Sequence, residues 1–203
     1  MQQSMNLVQR PELTLTRQQE RVKRMVQVIE SFSSGFTLRP VSVKLVNTGQ
    51  APAFSSSNRI WFHEGMLADL STKHGVASLK GLTLHEISHI LLSPRANSEL
   101  REWVNAHGYQ QSWNALEDQR IESQLIALYP SIKDWFTATI SEHLLKDPNG
   151  LTKVFPLIHG RRYLDKQVRQ AVRKGYFNQK VVKELSTIID KFRALNMSDP
   201  DTL

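Results

Sequence analysis

The segment Leu82-Thr-Leu-His-Glu-Ile-Ser-His-Ile-Leu-Leu92 constrains the fold more than any other part of the chain. Leu82, Leu84, Ile87, Ile90, Leu91 and Leu92 make it apolar enough for a core, yet it also carries His85, Glu86 and His89. Residues four apart on a helix lie one turn apart on the same face, so a helix here aligns the two imidazoles. Burying polar groups without partners costs about 1–3 kcal/mol apiece in mutational data. The chain must therefore bury this helix and set something polar or metallic against its histidines. The periodicity places the helix over about Ser78–Leu92, with Ser93-Pro94 as its stop.

The chain contains no cysteine, which removes disulfides, thiolate metal sites and a Cys nucleophile. A metal facing His85 and His89 must be completed by a carboxylate. Zinc is the expected ion, because neutral imidazole suits it and two His plus a carboxylate leave a position open for water. Glu86, beside the first histidine, is expected to act as general base on that zinc-bound water. The third ligand is sought in Trp113-Asn-Ala-Leu-Glu-Asp-Gln-Arg-Ile-Glu-Ser123, on a helix predicted over 111–128. On a helical wheel Ala115, Ile121, Leu125, Ile126 and Tyr129 centre an apolar arc that includes Asp118 and Glu122. Glu117 falls at its edge and Arg120 points away. Asp118 is the expected third ligand and Glu117 the alternative. Glu122 is expected to accept the other ring N–H of a ligand histidine and so fix its tautomer. Candidates for stabilising a developing oxyanion are Tyr109, His107, His143, His159, Arg161 and Tyr163, with Tyr109 and His107 preferred because they lie between the two motifs.

The rest of the chain supplies the frame. Residues 1–13 read as a loose tail, followed by a helix over Leu15–Phe32 ended by Gly35. Val41–Val46 alternates as a strand, Ala51–Ser57 reads as loop, and Asn58–Phe62 reads as a second strand. A helix is predicted over Glu64–Lys73, and later ones near 98–106, 131–145, 162–174 and 178–195, with a turn at Asp147-Pro-Asn-Gly150. Trp103, Trp113 and Trp135 read as core. Few strands early and helices afterwards give an α+β fold, mostly helical with a small mixed sheet. The expected organisation is a core with its N-terminal helix over 1–145 and a basic helical subdomain over 146–203 packed on it.

His-Glu-x-x-His in such a helix resembles the signature of the zincin metallopeptidases. Asn114-Ala-Leu-Glu-Asp-Gln-Arg-Ile-Glu122, and less closely Ile158-His-Gly-Arg-Arg-Tyr-Leu164, resemble segments of bacterial and phage proteins that carry a metallopeptidase-type domain before a von Willebrand factor A domain, including relatives of a cobalt-chelatase subunit. The resemblance covers about residues 40–165. It implies a zincin-like core, a zinc-dependent hydrolysis of peptide bonds in a protein substrate, and an edge strand lining the substrate cleft. On that analogy Asn58–Phe62 would pair with an extended peptide by strand addition. No von Willebrand A domain is found in the 203 residues, so a different targeting route or a stand-alone version is expected.

The net charge is +7. Its excess lies after Lys146, which raises an alternative: a catalytically weak zincin-like module that binds nucleic acid or an acidic protein through Arg161, Arg162, Arg169 and Arg173. No apolar run is long enough to span a membrane and no secretory signal is visible at the N-terminus, so a cytoplasmic location is expected.

Overall fold

The computed structural model describes the backbone of residues 10–49, 51–67, 69–94, 98–147 and 150–195. The first helix, α1 (Arg10–Thr37), begins before the expected Leu15, so residues 10–13 are not a loose tail, and it runs straight through Gly35. A glycine costs a helix only about 1 kcal/mol, less than the packing of Met25, Val26, Ile29 and Phe36 on the core returns. The stop comes instead at Leu38, whose φ of 54° reverses the chain. Residues 1–9 of the expected tail lie outside the described residues.

Three strands follow: β1 (Ser42–Val46), β2 (Ala53–Ser56) and β3 (Arg59–His63), in the order β1-β3-β2. β1 runs parallel to β3 and β2 antiparallel to it. Two expectations are corrected here. Ala51–Ser57 holds a strand where loop was expected, because a two-residue turn at Ser57-Asn58 folds this small, polar segment back on β3. As a result the strand expected at Asn58–Phe62 is central, with a neighbour on each side, and cannot accept an added strand. Val43, Ala53, Ile60 and Phe62 face the core.

Glu64–Lys73 is not a helix. It has one 3-10 turn, Glu64–Met66, before the long central helix α2 (Lys73–Leu92). That helix starts ahead of the expected Ser78 because Thr72 caps it, accepting a hydrogen bond from Gly75 N at 2.9 Å. A side chain at Gly75 would overlap the Asp69 carbonyl, so the glycine reflects a close chain crossing and not a helix break. Next come α3 (Glu99–Ala106), α4 (Gln110–Leu128), α5 (Lys133–His143), the single turn α6 (Phe155–Ile158), α7 (Lys166–Gly175) and α8 (Val182–Arg193). The turn expected at 147–150 has one end described, where Gly150 N donates to Asp147 O; residues 148 and 149 lie outside the described residues.

The architecture is α+β, mostly helical with a small mixed sheet. α2 and α5 cross closely at Gly81, where a Cβ would come within 2.2 Å of both Thr139 Oγ1 and the Trp135 carbonyl. One apolar cluster joins α1, the sheet, α2 and parts of α4 and α5. A second joins Ile140, Phe155, Ile158, Leu164, Val172, Tyr176 and Val182. Ile140 belongs to α5, and Tyr163 packs against both clusters, so the two expected parts share packing across residue 145. Trp113 is buried, whereas Trp103, expected in the core, is 52% exposed. No described helix is long and apolar enough to cross a membrane.

Candidate metal centre

α2 and α4 pack side by side and bring His85, His89 and Asp118 together, with one ligating atom from each within 4.8 Å of the others. Asp118 Oδ1 lies 3.3 Å from His89 Nε2 and 3.7 Å from His85 Nε2. Ligands on a tetrahedral zinc at about 2.0–2.1 Å stand about 3.3–3.4 Å apart, so the Asp118 oxygen lies near that spacing from both imidazoles and the group is close enough to converge on one ion. The two imidazole rings meet edge-on, with centroids 4.8 Å apart.

The ring nitrogens facing away from this point are already engaged. His85 Nδ1 donates to Glu122 Oε1 at 2.9 Å, and His89 Nδ1 pairs with Ser93 Oγ at 2.9 Å. An ionised carboxylate only accepts, so neutral His85 keeps its proton on Nδ1 and leaves the Nε2 lone pair free for a metal. Ser93 is the residue that ends α2, so the same break that stops the helix orients the second histidine.

Glu122 is the hub behind the triad. Its carboxylate accepts from His85, from Arg161 Nε at 2.8 Å and Nη2 at 2.9 Å, and from the Tyr163 hydroxyl at 2.7 Å. Glu122 is 1% exposed and Arg161 2%. Burial opposes the carboxylate charge, but Arg161 and His85 outweigh it and hold the pKa down at about 2. Arg161 is correspondingly raised against its burial by Glu122. Burial and the neighbouring Glu122 charge push the Tyr163 hydroxyl well above its usual value, so it stays a donor. Burial lowers His85, yet Asp118, Glu122 and Glu86 together lift it to about 9 in the metal-free protein. Asp118 is held below its ordinary value, against burial, by His85, His89 and Arg161, whose Nη2 stands 3.8 Å from Oδ2.

Glu86 is 3% exposed, and its carboxylate makes no hydrogen bond or ion pair among the described residues. Its backbone carbonyl accepts from Ser55 Oγ at 3.3 Å, which ties β2 to the histidine helix at this residue.

The side chains of Glu117–Glu122 point around the whole circumference of α4, and each has a separate task. Glu117, the alternative ligand, is turned away from the triad: both its oxygens bind Arg120, at 2.6 and 2.7 Å. Arg120 was expected to point outward but is fully buried, because its Nη2 also caps the Leu92 carbonyl at the end of α2 at 2.7 Å. Gln119 donates to Pro156 O and accepts from Gly160 N at 2.6 Å, fastening the turn that carries Arg161 and Tyr163. A Cβ at Gly160 would sit 2.8 Å from the Gln119 oxygen, which is why glycine stands there.

The preferred oxyanion donors are placed elsewhere. Tyr109 precedes the first turn of α4, about 13 Å along the helix axis from Asp118. It forms an exposed aromatic group with Trp103 and His107, the Trp103 and His107 rings stacking at 4.3 Å. His159 bonds Asp190 and Arg162 and does not reach the triad. His143 closes α5, its pKa lowered mainly by burial. From the original set, Arg161 and Tyr163 are the two that reach the site. Wheel reasoning missed Arg161 as the counter-charge, although two inward carboxylates on α4, with Arg120 read as pointing away, called for a buried cation from elsewhere. Ser93 and Gln119 carried no sequence signal beyond their neighbours.

Of the arginines considered for nucleic-acid binding, one is buried and one is exposed in a surface ion pair. Arg161 is buried on Glu122, and Arg162 grips both oxygens of Asp190 at 2.6 and 2.7 Å. Comparison with known proteins finds no match among protein-family models, curated proteins or solved structures.

Proposed function

We propose that this chain is a zinc-dependent peptidase with its metal on His85, His89 and Asp118. The observation that carries the reading is the pairing of Glu86, a carboxylate with no hydrogen bond or ion pair among the described residues whose charge acts on His85, with a His-His-Asp set whose outer nitrogens are already fixed. The donor set fits zinc: borderline nitrogen ligands, one carboxylate oxygen, and spacings suited to a tetrahedron. When bound, zinc supplies Lewis acidity to a carbonyl and lowers the pKa of a water. The protein's own groups do the remaining work. Glu86 takes a proton at its carboxylate and returns it to the leaving amine. Glu122 holds His85 in one tautomer, and Arg161 and Tyr163 hold Glu122. The edge of β2 that no described strand pairs with, beside Glu86, is where an extended chain would pair, in place of the central strand first expected.

The test is elemental analysis followed by an activity assay on unfolded protein substrates. One zinc per chain is expected, absent after His85→Ala/His89→Ala. Glu86→Gln should keep the zinc and lose cleavage. A Glu86→Gln protein that cleaves at the original rate, or a wild type that takes up no zinc, would overturn the assignment.

A further inference from the structure

We infer that Phe54, backed by Trp61, is a subsite for one aromatic side chain of an extended polypeptide paired to β2. The inference rests on the peptidase reading only in calling that polypeptide a substrate. The geometry begins with register. Pro52 O accepts from His63 N, so the hydrogen-bonded pairs of the β2–β3 ladder are Phe54–Trp61 and Ser56–Arg59. The backbone groups of Ala53 and Ser55 therefore point to the other side, which is the open edge of the sheet. An antiparallel chain added there bonds to Ala53 and Ser55. Its residue opposite Phe54 then occupies a non-hydrogen-bonded pair, where Cα atoms approach to about 4.5 Å and side chains are closest.

Ala53 faces the core, so by alternation Phe54 stands on the opposite face, 42% exposed. It stacks on Trp61 with centroids 4.8 Å apart and planes within 12°, and Arg59 lies 5.5 Å from the Trp61 ring. Trp61 belongs to β3, so one face of the Phe54 ring is covered by it and the other looks toward the open edge. The stack Arg59–Trp61–Phe54 thus ends on a bare aromatic face at the point where an incoming side chain must stand. A flat ring extends the stack; an aliphatic or small side chain leaves the face in water. The three strands carry no Asp or Glu. Ser55, the next residue, faces the other way and bonds the Glu86 carbonyl, so a chain paired to β2 runs beside the metal-bearing helix while its aromatic side chain stands on the opposite face of the sheet.

The test uses the full chain, zinc-loaded and carrying Glu86→Gln so that bound peptide persists. Labelled peptides of alternating threonine and serine, with Phe, Trp, Leu or Ala at the centre, are titrated by fluorescence anisotropy. Aromatic peptides should bind about three- to tenfold tighter than the alanine peptide, the range expected for one ring stack. Phe54→Ala should erase that advantage and Phe54→Tyr should keep it. No peptide binding, equal binding across the series, or an advantage that survives Phe54→Ala would overturn the proposal. Incubating the same peptides with the unmutated chain separates the two readings. If they stay intact while the Phe54-dependent preference holds, the peptidase reading fails and the subsite stands. If they are cleaved without preference, only the subsite fails.

Discussion

Replacing Arg161 with methionine removes a guanidinium that makes two charge-assisted hydrogen bonds to Glu122, at 2.8 and 2.9 Å, with both residues nearly inaccessible to water. Unit charges about 4 Å apart interact by about 4 kcal/mol at an effective dielectric of 20. Breaking a buried pair by deleting one partner costs about 3–5 kcal/mol, because the other charge stays desolvated. Arg161→Met is therefore expected to lose about 3–5 kcal/mol of unfolding free energy, a large part of the 5–15 kcal/mol typical of a domain. Glu122→Leu should lose a similar amount, since it strands the Arg161 charge and leaves the His85 and Tyr163 donors unanswered. The double variant should fall short of the sum by about 2–3 kcal/mol, because removing both charges leaves no orphaned ion. Urea denaturation of the four proteins with chelator present, followed by circular dichroism, measures this cycle. A single Arg161→Met loss below about 1 kcal/mol, or strictly additive losses, would refute the claim that this pair is buried and coupled.

Asp118→Asn should weaken zinc binding at least tenfold in competition with a chromogenic chelator. Glu117→Gln should leave zinc affinity intact while lowering the denaturation midpoint, since its partner is Arg120 and not the metal. In the metal-free chain His85 titrates near pH 9, so at pH 7 zinc must displace its proton. Calorimetry in two buffers of different ionisation enthalpy should show about one proton released per zinc, and affinity should fall as pH drops from 9 toward 6. Release of no protons would mean that His85 is already neutral. Gly81→Ala forces a methyl into Thr139 and the Trp135 carbonyl, and is expected to cost about 2–3 kcal/mol in the same denaturation assay.

The histidine helix was legible because its chemistry and its period agree: an apolar run that carries two histidines on one face has few ways to be buried. Asp118 and Glu122 were legible for the same reason, as carboxylates inside an apolar arc. Arg120 was misplaced because a wheel ranks hydrophobicity and has no place for an arginine buried on its own helix neighbour and on the Leu92 carbonyl. β2 was missed because Ala-Phe-Ser-Ser has little strand propensity, and it pairs only because the Ser57-Asn58 turn folds it against β3. Tyr109 and His107 lie between the two motifs along the chain, but they sit in the turn between α3 and α4, at the end of α4 away from Asp118. Arg161 entered the site from 39 residues beyond Glu122, a distance over which no local pattern speaks.

That long reach sets an order of events during synthesis. The three candidate ligand positions have all been made once Asp118 leaves the ribosome, but the cation that neutralises Glu122 is not added until Arg161, next to the Gly160 that docks on Gln119. A nascent chain lacking that turn holds the metal-binding letters without the grammar that orients them. The carboxylate hub behind the triad is therefore complete only after residues 160–163 have docked on α4.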